Sequence, residues 1–174
     1  ENIALTMTQA SNVSVIVSVA PIFTGIMAHF FLDGERMKKS IVAGFICAML
    51  GICLITFQKG EKLELNPVGD FLGLAAAAIW GVYSVCTRKI GGFGYDTIVT
   101  TRRTFFYGIL FMLLALPFMD FHLQILALLQ PVNLANVIYL GIGASAICFV
   151  TWNYAVKSLG ATKASVYIYG IPVV

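Results

Sequence analysis

The side chains of this sequence best suited to holding a solute are hydroxyls, indoles and amides set at helical spacing inside apolar runs. Ser14, Ser18, Pro21 and Gly25 follow one another at intervals of 4, 3 and 4, which gathers a small, polar stripe on one helix face. A proline inside a helix removes one donor, so Pro21 leaves the carbonyl of Val17 without its usual partner. That stripe is either a cavity wall with a bending point or a kinked helix packed on a neighbour. Trp80, Tyr83 and Ser84 fall at i, i+3 and i+4, presenting two aromatic rings and a hydroxyl from one side of a second helix. They line a cavity, or they meet lipid and core. Further along stand Ser145, Trp152, Asn153 and Tyr154; an amide such as that of Asn153 is costly in hydrocarbon unless bonded, whereas Trp152 and Tyr154 also fit an interfacial aromatic belt. Ser165, Tyr167, Tyr169 and Pro172 close the series. The binding candidates are therefore Ser18, Pro21, Trp80, Tyr83, Ser84, Trp152, Asn153, Tyr167 and Tyr169.

Bond-making chemistry has no visible basis. The sequence holds no HExxH, no GxSxG, no Walker loop and no pair of acids within an apolar run, so neither hydrolysis nor ATP-driven pumping is expected, and no cofactor or metal. Cys47, Cys53, Cys86 and Cys148 lack CxxC spacing and read as small apolar core residues. His29 reads as a packed or interfacial side chain, and Arg102 and Arg103 as anchors of the helix they begin.

The elements that must position these groups are membrane helices. Of 174 residues, 59% are apolar and 11% charged, against about 25% charged in a typical soluble domain. Five runs, Val13–Leu32, Ile41–Phe57, Phe71–Thr87, Thr104–Met119 and Val137–Val156, are each long enough or nearly so to cross about 30 Å of hydrocarbon. Together they take up about half the chain and include none of its eleven Lys and Arg or eight Asp and Glu. A charge at the centre of such a helix costs roughly 2.5–3.5 kcal/mol on insertion scales, so the exclusion is what a spanning segment requires.

Basic residues alternate between the loops. Those after the first, third and fifth runs carry Arg36, Lys38, Lys39, Arg88, Lys89, Arg102, Arg103, Lys157 and Lys163; those after the second and fourth carry Lys59 and Lys62. The asymmetry places the first group of loops in the cytoplasm and accounts for the net charge of +3 without nucleic acid.

An internal repeat orders the spans. The stretch from Ala4 aligns without gaps on the stretch from Ala155, matching Ala4, Ala10, Ser14, Val15 and Pro21 to Ala155, Ala161, Ser165, Val166 and Pro172 at a constant offset of 151. Five crossings separate the copies, so they run in opposite directions, as in the inverted repeats by which many carriers alternate access. The offset predicts a parent of about ten helices and roughly 300 residues, with helices beyond both ends of this chain.

The segment from Ala4 to Met37, with its proline and the Gly34-Glu35 that ends it, resembles the fourth helix of EamA-type transporters of the drug/metabolite superfamily. AAAAIWGVYSVCTRKI, Ala75 to Ile90, resembles the opening helix of the second repeat, and SAICFVTWNYAVKSLGATKASVYIYGIPVV, from Ser145, the eighth and ninth helices. The resemblance implies an all-α, polytopic protein with five complete transmembrane helices and partial ones, a fragment of a ten-helix inverted-repeat carrier. Residues 1–57 would end the first repeat, 58–70 form an external linker and 71–174 open the second. It further implies a secondary exporter of small metabolites, amino acids or related amphipathic compounds, in the cell inner membrane, with Glu35 acting in its loop rather than in the pathway. The expected partners are a small-molecule substrate, the lipid bilayer and the remaining helices of the full-length chain; self-association into a homodimer is left open. The competing readings are a membrane scaffold without transport and an intramembrane enzyme, the latter lacking any acid cluster or nucleophile.

Overall fold

The computed structural model describes residues 15–58, 66–118 and 128–173, and every regular element among them is a helix. Residues 15–17 make one helical turn, the chain turns at Ser18 and Val19, and α1 runs Ala20–Phe31. The continuous span expected over Val13–Leu32 is thus broken in its first third. The cause is Pro21: it has no amide to donate, and it is tolerated in the first turn of a helix, where donors are unpaired anyway. The backbone closes up around it with tight bonds, Val19 N to Ile16 O at 3.0 Å and Ile22 N to Val19 O at 2.9 Å. Ser14, the first member of the polar stripe, lies outside the described residues.

The next four helices are α2 (Lys39–Gln58), α3 (Pro67–Gly92), α4 (Thr97–Ala115, followed by a 3-10 turn at Leu116–Phe118) and α5 (Pro131–Leu159). The start of α3 is set by Asn66, whose side chain accepts from the amides of Val68 (3.2 Å) and Gly69 (3.3 Å) ahead of Pro67. The last residues of the expected linker therefore belong to the first turn of α3, and residues 59–65 lie outside the described set. The fourth span, expected from Thr104, begins instead at Thr97, because Asp96 caps it by accepting from Val99 N at 3.0 Å. Hydropathy marks where charges stop; caps mark where helices start. Arg102 and Arg103 therefore ride on the second turn of α4, both exposed.

Within α5 the stretch Tyr139–Ile147 is π-helical, a rare geometry that recurs at functional positions. A glycine corner at Gly160 leads into α6 (Ala161–Val166), which tightens to 3-10 geometry over Tyr167–Val173. Among the described residues, α3, α4 and α5 are long and apolar enough to cross a membrane, whereas Val15–Phe31 and Lys39–Leu54 are shorter apolar helices.

By packing, the chain forms two units, Glu1–Lys89 with Val156–Val174, and Ile90–Ala155. The first has a core of small residues: Ala20, Pro21, Thr24, Gly25 and Ala28 of α1, Gly73, Ala77, Gly81 and Ser84 of α3, and Ala161, Ala164 and Ser165 of α6 are all buried. Between helices in lipid no hydrophobic force acts, so close van der Waals approach over such residues is what holds them. In the second unit Asn153 Nδ2 donates to Thr101 Oγ1 at 2.8 Å, and the Phe105 and Phe149 rings meet edge to face at 5.2 Å. These pairs step four residues forward on α4 and four back on α5, the register of antiparallel helices. The other faces of α4 present Phe106, Leu110 and Leu113 outward, as expected where lipid is the solvent. Cys47, Cys86 and Cys148 are exposed on such outer faces, not in a core, and Cys53 is half-buried. A small apolar thiol suits lipid as well as it suits protein.

Candidate functional site

Three helices of the first unit build the site around the ridge of α3. A Cβ added at Gly81 would stand 3.1 Å from Thr24 N and 3.2 Å from Phe23 C, so α3 lies directly on the backbone of α1. One turn pair earlier, a Cβ at Gly73 would meet the Ile16 side chain at 3.2 Å. The two contacts straddle the Ser18–Val19 break and fix it against α3. Ser84 continues this ridge; it is fully buried, and its hydroxyl donates to Trp80 O at 2.9 Å. Trp80 and Tyr83 flank the ridge, both half-buried, with ring centroids 5.5 Å apart and planes tilted by 40°.

A second aromatic pair comes from α2 and the 3-10 turn after α6. Phe45 is buried against α1, where a Cβ at Gly25 would touch its ring at 3.3 Å, and its ring lies 5.9 Å from that of Tyr169. The Tyr169 hydroxyl is buried and, among the described residues, has no hydrogen-bond partner; the same is true of Thr162 Oγ1. A buried hydroxyl in that condition is a donor and acceptor available to a solute or a water. Ser18 is buried at the α1 break, and Pro21 behind it is fully enclosed. Tyr167, two residues from Tyr169, is 74% exposed and points away from this interior. The structure thus brings Ser18, Pro21, Trp80, Tyr83, Ser84 and Tyr169 into one unit. Trp152 and Asn153 belong to the other, where the Asn153 amide is engaged by Thr101.

One cluster has chemistry that spacing did not reveal. Glu35 accepts from Ala161 N and Thr162 N at 3.0 Å each, and its Oε1 pairs with Arg88 Nε at 3.0 Å. Arg88 in turn donates from Nη1 to the carbonyls of Val156 and Lys157. The ends of α1, α3 and α5, which carry three of the basic loops, therefore meet at one end of this unit. Gly34-Glu35 was legible as a motif. Its partners, 53 to 127 residues away, were not, although a glycine such as Gly160 between two apolar helices signals a corner.

Comparison with known proteins gives this arrangement a context. The sequence profile of the EamA-like transporter family matches residues 1–57 and 67–174. Over 163 residues the chain is 31% identical to the probable terminal-alkyne amino-acid exporter of Streptantibioticus cattleyicolor, covering 94% of this chain and 52% of that protein. It is 28% identical over 148 residues to the aromatic amino acid exporter YddG of Ancylobacter novellus, covering 82% and 48%. A solved crystal structure superposes with a TM-score of 0.73 at 25% identity, over 98% of this chain and 57% of that one. The chain spans about half the length of the curated relatives it matches. With its apolar helices it is a multi-pass membrane protein, its relatives are transporters and not enzymes, and it belongs to the EamA-like transporter family.

Proposed function

We propose that the protein is a secondary carrier that exports small amphipathic metabolites, amino acids or related compounds, across the inner membrane by alternating access. The observation that carries this reading is the pairing of α1 with α6. The sequence repeat relates Pro21 to Pro172, and the helical path departs from α geometry beside both, at the Ser18–Val19 turn and in the 3-10 stretch Tyr167–Val173. α1, which bears Pro21, packs against α6, the helix that leads into the stretch bearing Pro172. Broken helices meeting between inverted repeats are how many carriers build a site near the midplane, because backbone groups freed from the helix become available to solute there. In this reading the chain contributes five spans of ten, with residues 1–57 and 71–174 from opposite repeats and basic loops in the cytoplasm.

The side chains support this substrate class. Trp80 with Tyr83, and Phe45 with Tyr169, offer aromatic faces, while Ser18 and the Tyr169 hydroxyl offer hydrogen bonds; none of these side chains carries a formal charge. Such a lining suits a zwitterion or an aromatic solute, held by stacking and hydrogen bonds without a buried ion. The exporters named above act on amino acids, which supports the same class. The test is amino-acid flux in proteoliposomes carrying the full-length protein. Trp80→Ala and Tyr169→Ala are expected to cut flux at least fivefold with insertion intact, and Tyr167→Ala to leave it unchanged. Intact, correctly inserted protein with no flux of any amino acid would point to a scaffold instead.

A further inference from the structure

The corner between α5 and α6 is closed by side chains that come from neither helix. Gly160 turns the chain at φ 95°, and a Cβ there would stand 2.7 Å from Glu35 Oε1. On one side of this corner are the last carbonyls of α5, on the other the first amides of α6. The cation of Arg88 sits on the carbonyls and the anion of Glu35 on the amides, each at the helix end whose dipole favours it. Glu35 reaches this position from the loop after α1, where Gly34 at φ 92° reverses the chain and His29 Nδ1 accepts from Met37 N at 3.4 Å. Two of the three positive-φ glycines among the described residues, Gly34 and Gly160, thus serve a single junction.

Its exposure separates this junction from the rest of the interface. The Arg88 side chain is 35% exposed and that of Glu35 14%, whereas Ala28 and Ser165 nearby are fully buried. Both charged side chains reach solvent, so water can take over their charges when the junction parts, and the groups they release are helix-end amides and carbonyls. A buried ion pair would be left uncompensated on separation; this one would be rehydrated. Glu35 lies in the first repeat, and Arg88, Gly160 and α6 in the second, so the junction ties together the two halves that the carrier reading moves apart.

On that reading, we propose that Glu35, Arg88 and the Gly160 corner form a reversible latch that closes the basic-loop end of the transport path and opens once in each cycle. Its test uses the full-length protein with Cys47, Cys53, Cys86 and Cys148 replaced, and spin labels on cysteines at the exposed positions 36 and 163. Unsubstituted protein should show a dominant short distance. Glu35→Gln, which removes the ion pair, and Gly160→Ala, which wedges the carboxylate out sterically, should each raise a longer-distance population at least threefold. A junction that is only structural would lower the melting temperature of these variants without adding the longer distance, and that outcome overturns the proposal. In a second arm, a cleavable bis-maleimide linking the same two cysteines should reduce flux at least tenfold, with recovery on cleavage. Full flux through the linked protein would equally overturn the latch. If the unlinked protein carries no solute, the carrier reading falls, and the distance measurement alone decides whether the junction opens.

Discussion

Replacing Gly81 by alanine probes the contact on which the geometry of the site depends. The added methyl would lie 3.1 Å from Thr24 N and 3.2 Å from Phe23 C, where comfortable contacts are about 3.5–4.0 Å. Both obstructing atoms are backbone, so no rotamer change relieves the clash, and α1 and α3 must separate by about 0.5 Å. A gap of that size forfeits a quarter to a half of the dispersion energy of facing atoms, here along Gly73, Ala77 and Ser84. Overpacking of this kind costs roughly 1–3 kcal/mol, against which alanine recovers up to about 1 kcal/mol of helix propensity. The expected net loss is about 1–2 kcal/mol. Gly108→Ala on α4 is the control, since nothing stands within 4 Å of its added Cβ; it should be neutral or slightly stabilising. Reversible unfolding of the full-length protein in mixed micelles by SDS titration measures both. Gly73→Ala should fall between them, because the obstructing Ile16 side chain can move. If Gly81→Ala is as stable as Gly108→Ala, the close approach of α1 and α3 is wrong, and with it the placement of Trp80 and Tyr83 beside the ridge.

Three further outcomes are expected. Thr101→Val should destabilise by about 1 kcal/mol in the same titration, the upper range for a hydrogen bond between membrane helices, while Thr101→Ser, which keeps the acceptor for Asn153, should not. Single cysteines at Lys38, Tyr95 and Ser158 should share one accessibility to an impermeant thiol reagent, opposite to that of Gln130; common labelling of Tyr95 and Gln130 would refute the topology. The 174 residues expressed alone should insert but move no solute, since an inverted-repeat carrier needs both halves; net transport by them would refute the ten-helix proposal.

The sequence by itself determined the class of protein, because the exclusion of charge from long apolar runs is a local property that the bilayer imposes residue by residue. It also determined the small ridge of α3: Gly73, Ala77 and Gly81 recur every four residues, and that period alone defines a helix face able to approach another backbone. The repeat marked Pro21 as a special position, although whether it bends a helix or ends one depends on the neighbours that take up the freed backbone groups. Helix starts at Asn66 and Asp96 were written in capping residues that a hydropathy reading passes over. What only the tertiary structure decided are the meetings of distant groups. Nothing in local pattern pairs Asn153 with Thr101, sets Phe45 beside Tyr169 or turns Tyr167 outward. Glu35 shows the limit most clearly: an acid in a polar loop is indistinguishable in sequence from a solvated one. Its role arises from the corner at Gly160 and the guanidinium of Arg88, which the chain delivers to the same place only after the helices between them have packed.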